Sequence, residues 1–264
     1  MSRKSRFFKT ILVAVDRLVD SVLTAMAVML VVFGTFSVWD SWRIANGAES
    51  SKIAGYKPVV SSTEEGPPSF AELLSINDDA IAWITVDGTN IDYPIMKSKD
   101  NADYLNRDVY GNFAMSGTPF MDYRNSPDFS DAYSIVYGHH MEGGRMFGQV
   151  EDFLVGSFLA QHKTGTLMTP TGVYGIKWFA AIKADGYDST IYETIPSNAE
   201  QTEQMKFELL EHVYELAETT LDVEQTDRLI ALSTCNDAET NGRILLFGYI
   251  SDGLAKTEKG EAGA

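Results

Sequence analysis

Residues 228–250 read RLIALSTCNDAETNGRILLFGYI. Two runs rich in branched and aromatic residues flank a polar segment containing Asn-Asp and Asn-Gly, which is the pattern of two strands joined by a loop. In the first run, alternation places Leu229, Ala231, Ser233 and Cys235 on one face, with Cys235 at the carboxyl end. If the run that opens at Arg243 pairs antiparallel with it, the loop 236–242 brings Arg243 opposite Cys235, with backbones about 5 Å apart. A guanidinium in that position favours the thiolate and offers fixed donors to a developing oxyanion.

Cys235 is the one Cys among 264 residues. A disulfide framework and a Cys-rich zinc site are therefore excluded. A lone Cys is most often a small buried apolar residue. Here it closes a strand ahead of Asn-Asp, and the amino terminus puts it on the oxidising side of a membrane, where an idle thiol is a liability.

Residues 21–39, SVLTAMAVMLVVFGTFSVW, carry no charge. As a helix they would span about 28 Å, the hydrocarbon thickness of a bilayer. Five basic residues (Arg3, Lys4, Arg6, Lys9, Arg17) against Asp16 and Asp20 precede the run, and 16 basic and 35 acidic residues follow it. Basic flanks stay in the cytoplasm, so the remainder is expected outside. A cleaved signal peptide would have a shorter apolar region ending in an A-x-A-like site. Here Ala25-Met26-Ala27 falls mid-run, which favours an uncleaved anchor.

Beyond the anchor, strand patterns dominate at 80–86, 90–96, 133–137, 165–168, 173–184, 228–232 and 243–250. Helices are expected at 146–159 and, after a Ser197-x-x-Glu200 capping box, at 200–217. A second box, Ser69-Phe70-Ala71-Glu72, opens a short helix. The fold class is mainly β with inserted helices, a barrel or sandwich of seven or eight strands. The expected division is a cytoplasmic segment 1–20, an anchor 21–39, a stalk 40–68, a catalytic domain 69–252 and a tail 253–264. Apolar residues at 44% and charged residues at 22% suit a globular chain with a full core. A net charge of −16 argues against a nucleic-acid partner. Four scattered His make no metal cluster, and no metal or cofactor is expected.

At 133–141, YSIVYGHHM, a β run stops at Gly138 and releases His139 and His140 into a Gly-flanked loop. A His there can approach a thiol on a neighbouring strand as general acid and base. His162 and His212 are expected at the surface. The candidate His precedes the nucleophile by about a hundred residues, whereas papain-type and NlpC-type peptidases run Cys first. Caspase-like enzymes run His first, but their Q-A-C-x-G signature is absent.

An amino-terminal anchor, Tyr-Gly-His, a late Leu-Ser-Thr-Cys and an Arg eight residues after the Cys together resemble the sortases, Gram-positive cell-wall transpeptidases. The similarity is greatest to class B, on Asp100-Asn101-Ala102-Asp103-Tyr104-Leu105, on Pro119-Phe120-Met121-Asp122-Tyr123-Arg124-Asn125 and on the helix before the Cys strand. The resemblance spans roughly residues 70–250. It implies an eight-stranded sortase barrel behind an N-terminal transmembrane helix, with Cys235 as nucleophile, His139 as catalytic imidazole and Arg243 as oxyanion-binding guanidinium. It further implies a substrate groove lined by Asn101, Leu105, Ser233 and Thr234, and matches His140 to no catalytic position. The implied partners are secreted proteins bearing a sorting signal, and a peptidoglycan or pilin-lysine amine. Ala231 replaces the family's usual Thr, which is expected to alter packing, and Asn236 stands where some members have an acid. A membrane-anchored cysteine peptidase and a non-catalytic adhesion or scaffold domain are the competing readings.

Overall fold

The branched and aromatic runs become strands that close on themselves. The computed structural model describes residues 3–48, 53–59, 69–198, 200–217, 228–235 and 241–251. The strands are β1 (Ala80–Val86), β2 (Asp92–Met96), β3 (Phe120–Met121), β4 (Tyr133–Tyr137), β5 (His140–Met141), β6 (Arg145–Met146), β7 (Thr164–Thr169), β8 (Gly172–Asp185), β9 (Arg228–Cys235) and β10 (Gly242–Ile250). The helices are α1 (Arg3–Gly47), α2 (Ala71–Ile76), α3 (Gly156–Gln161), α4 (Ser189–Tyr192) and α5 (Thr202–Ala217).

Eight strands form a closed barrel in the order β1-β2-β3-β4-β9-β10-β8-β7, and β5 and β6 make a separate two-stranded ribbon. Closure leaves no unpaired edge for other chains to extend. Neighbours are antiparallel except β2–β3 and β4–β9, which run parallel.

Alternation divides the apolar residues between two faces. Ile84, Ile95, Val136, Leu167, Ile176, Ile230, Leu232, Ile244 and Leu246, from seven strands, fill one cluster, which makes it the barrel interior. Their neighbours Ile135, Leu229, Ala231, Leu245 and Phe247 pack instead with Ile191 of α4 and with Leu209, Leu210 and Val213 of α5. β4, β9 and β10 are therefore buried on both sides, and their outward residues run under α5 towards Tyr137 and Ser233. Ala231 is fully buried in that second cluster, where a small apolar side chain fits.

Several local expectations need correction. Residues 146–159 are not one helix. Met146 takes φ 50°, tight 3-10 turns follow over Gly148–Leu154, and α3 starts only at Gly156. Ser69 does not cap α2, because the N-cap position falls one residue later, on Phe70, which has no side-chain acceptor, and the helix begins without a side-chain cap. Ser197 donates its hydroxyl to the Ser130 carbonyl, and α5 starts at Thr202. His162 is half-buried, stacked on Phe158 at 4.0 Å, and His212 pairs with Asp188 at 2.8 Å. The outer stalk (60–68), Asn236 and the tail (252–264) lie outside the described residues.

The chain divides into two units, Met1–Asn46 and Gly47–Ala264. The first consists almost wholly of α1, in which Ile11–Ile44 is long and apolar enough to cross a membrane.

Candidate active site

Strand register assembles the site. Arg243 on β10 stands opposite Cys235 on β9, with Leu245 opposite Ser233. On the other flank β4 runs parallel to β9, with Tyr137 opposite Ser233, and the Gly138 N–H continues the ladder to the Ser233 carbonyl at 3.1 Å. His139 follows two residues beyond the end of β4, on the side of the barrel where β9 ends at residue 235 and β10 opens at residue 242. The Cys235 side chain lies outside the described residues.

A cleft of about 280 Å³ opens there, and His139, Arg243, Ser233, Thr234, Asn101 and Leu105 all line it. The structure thus brings six of the seven expected residues to one cavity, and the backbone of the seventh adjoins it. Sequence reasoning missed Phe120, Tyr137, Gly138, Gly186 and Tyr192 in the lining. Tyr137 and Gly138 flank the His motif and were within its reach. Tyr192 arrives from an insertion between β8 and α5 that carries no motif of its own.

His139 and Arg243 are each held by a backbone carbonyl. His139 Nε2–H donates to the Leu105 carbonyl at 2.7 Å, which fixes the ring and leaves Nδ1 as the proton-exchanging nitrogen in the neutral form. Gly117 makes that approach possible. It takes φ 59°, and a Cβ there would sit 2.7 Å from the Leu105 carbonyl and 3.1 Å from His139 Cδ2. Gly138 lies under the Phe147 ring, where a Cβ would come within 2.6 Å of Cδ2. Arg243 donates from Nη1 to the Gly242 carbonyl at 3.0 Å and lies over Gly186, whose added Cβ would be 3.5 Å from Cζ. The Thr234 hydroxyl is buried without a hydrogen-bond partner among the described residues. His140 faces the Glu151 carboxylate at 3.2 Å and does not line the cleft.

Beneath the cleft lies Asp122, whose side chain is 0% exposed. Burial alone would raise its pKa, but donors from Arg124, Tyr137 and Asn101 outweigh that and hold it at about 2. Burial, reinforced by the neighbouring carboxylate, pushes the Tyr137 phenol well above its ordinary value, so it stays a neutral donor. Tyr137 stacks on Tyr192 with centroids 6.3 Å apart, and the Tyr192 hydroxyl shares a hydrogen bond with Ser233 Oγ at 3.0 Å. No group of three or more His, Cys, Asp or Glu among the described residues could hold a metal ion.

A guanidinium paired opposite a Cys and an oriented imidazole lining the same cleft as that guanidinium are parts that acyl transfer through a thiol needs. No family model matches the chain. Sortase B of Staphylococcus aureus (strain NCTC 8325 / PS 47) is 34% identical over 188 residues, covering 69% of this chain and 75% of that protein. Sortase B of Listeria monocytogenes serovar 1/2a is 28% identical over 235 residues, covering 84% and 94%. Among solved structures, a Streptococcus pyogenes class B sortase involved in pilus biogenesis aligns with a TM-score of 0.60 at 39% identity, covering 69% of this chain and 98% of that one. A Staphylococcus aureus sortase B–substrate complex aligns with a TM-score of 0.65 at 30% identity, covering 81% and 98%.

Proposed function

The chain belongs to the class B sortases, and from that premise we propose a membrane-anchored transpeptidase that works through a thioester of Cys235. The Cys235 thiolate adds to a backbone carbonyl within the sorting motif of a secreted protein. Arg243 donates to the oxyanion of the tetrahedral intermediate. As that intermediate collapses, the C–N bond breaks and His139 gives a proton to the departing amine. An amine of the peptidoglycan cross-bridge or a pilin lysine then attacks the thioester, His139 takes up its proton, and a new amide releases Cys235. Residues 21–39 anchor the enzyme with its amino terminus in the cytoplasm and the barrel outside.

The observation that carries this reading is the pairing of Arg243 with Cys235 beside the parallel β4–β9 register. His139 is already oriented through Leu105. Mass spectrometry of candidate pentapeptides incubated with the enzyme, with and without an added amine, tests it. The expected product is the amine adduct of the cleaved peptide. Cys235→Ala should yield none, and Arg243→Ala should turn over about 10²–10³-fold more slowly. A free carboxylate that ignores added amine would make the protein a hydrolase, and full activity in Arg243→Ala would remove that residue from the mechanism.

A further inference from the structure

Asp122 takes no part in the chemistry above, yet hydrogen bonds from the cleft wall converge on it. We propose that Asp122 is a positioning residue, a single buried carboxylate that holds Asn101, Tyr137 and Tyr192 in the orientation that receives the peptide substrate. The proposal rests on the acyl-transfer reading.

Oδ2 of Asp122 accepts from Asn101 Nδ2 at 3.0 Å and from the Tyr137 hydroxyl at 2.9 Å. Arg124 grips both oxygens, Nε to Oδ1 and Nη2 to Oδ2, each at 2.9 Å, and its own N–H reaches Oδ1 at 3.0 Å. The same Nη2 donates to the Tyr192 carbonyl at 2.7 Å. Asn101, Tyr137 and Tyr192 all line the cleft. They come from a loop, from β4 and from α4, far apart in the chain, and Asp122 with Arg124 is what they share. Lys97, which donates to the Asp122 and Tyr123 carbonyls at 3.0 Å, fixes the backbone that carries the carboxylate.

The chemistry of the node requires an anion. Five donors point at two oxygens, and a neutral amide in the same place would turn an NH₂ towards other donors. Asp122→Asn therefore disrupts the hydrogen bonds that Asn101 Nδ2 and the Tyr137 hydroxyl make to the carboxylate, and removes the charge that Arg124 grips. Among the described residues, neither His139, which bonds the Leu105 carbonyl, nor Arg243, which bonds the Gly242 carbonyl, has a hydrogen bond to the node. The loss should fall on substrate binding rather than on the reacting groups.

The test measures kcat and KM for amine-dependent peptide transfer by the full-length protein in detergent micelles, alongside the pH profile of Cys235 alkylation. In Asp122→Asn, KM for the peptide should rise about tenfold to a hundredfold. Its kcat should stay within about threefold and the alkylation profile should not move. Arg124→Lys, which keeps the charge but loses the fork, should raise KM in the same direction by a smaller factor. If Asp122→Asn fails to fold, Arg124→Lys alone decides. An unmoved KM in a folded variant, or a loss confined to kcat with a displaced alkylation profile, overturns the positioning role. A wild type that makes no amine adduct overturns the transferase reading and this proposal with it. Normal wild-type turnover with an unmoved variant overturns this proposal alone.

Discussion

Burial and hydrogen bonding oppose each other at Asp122, and their balance has a measurable consequence for stability. The carboxyl sits at about 2 in the folded protein against 3.8 for an unperturbed Asp. A lowered folded pKa adds stability that is complete above the unfolded value and disappears as pH falls through the folded one. The window here is from about pH 4 to pH 2, and the shift corresponds to about 2 kcal/mol. Other carboxyls titrate in the same range, so the difference between proteins is the useful quantity. Unfolding free energies from urea titration of the wild type and Asp122→Asn should be well separated at pH 6, and the gap should narrow by about 2 kcal/mol near pH 2. A gap that does not change with pH would mean that Asp122 titrates normally.

At the scale of elements, the α4–α5 insertion both covers the outer face of β4, β9 and β10 and delivers Tyr192 to the cleft. Asp188 caps α4 by accepting from the Thr190 and Ile191 N–H groups and pairs with His212 of α5 at 2.8 Å, which ties the two helices together. Leu209, on the buried face of α5, is 1% exposed. Leu209→Ala should cost about 2–4 kcal/mol in urea unfolding. An unchanged midpoint would show that the helix contributes little to holding this face. Elements of this kind differ in how far sequence exposes them. The long strands were legible because β-branched runs end at Gly, Pro, Asp and Asn. β3 was not, since two residues give no period and Phe120 is recruited by parallel pairing with Met96. The antiparallel meeting of Cys235 and Arg243 followed from loop length, but the parallel β4–β9 register that brings His139 alongside did not. The acceptor that orients His139 is a backbone carbonyl, Leu105, which no side-chain pattern announces. Asp122 and Arg124 stood in a motif of the resemblance, yet only geometry reveals how many groups they gather.

For the molecule as a whole, the charge distribution and the single thiol combine into a test of topology. The flank before residue 21 carries an excess of base, whereas 35 acidic and 16 basic residues follow Trp39. Such an asymmetry across one apolar span directs the amino terminus inward. Acid-rich segments contribute little to orientation, so the prediction rests on Arg3, Lys4, Arg6, Lys9 and Arg17. Because Cys235 is the only Cys, a membrane-impermeant maleimide reports the side on which the barrel lies without any engineered label. Intact protoplasts should be labelled to the same extent as lysed ones, and Cys235→Ala should give no signal in either. Replacing the five basic residues with Gln should lower the labelled fraction in intact protoplasts while leaving it unchanged after lysis. Labelling that appears only after lysis of the wild type would place the thiol in the cytoplasm, out of reach of any secreted substrate, and a transpeptidase acting on exported proteins could not work from there.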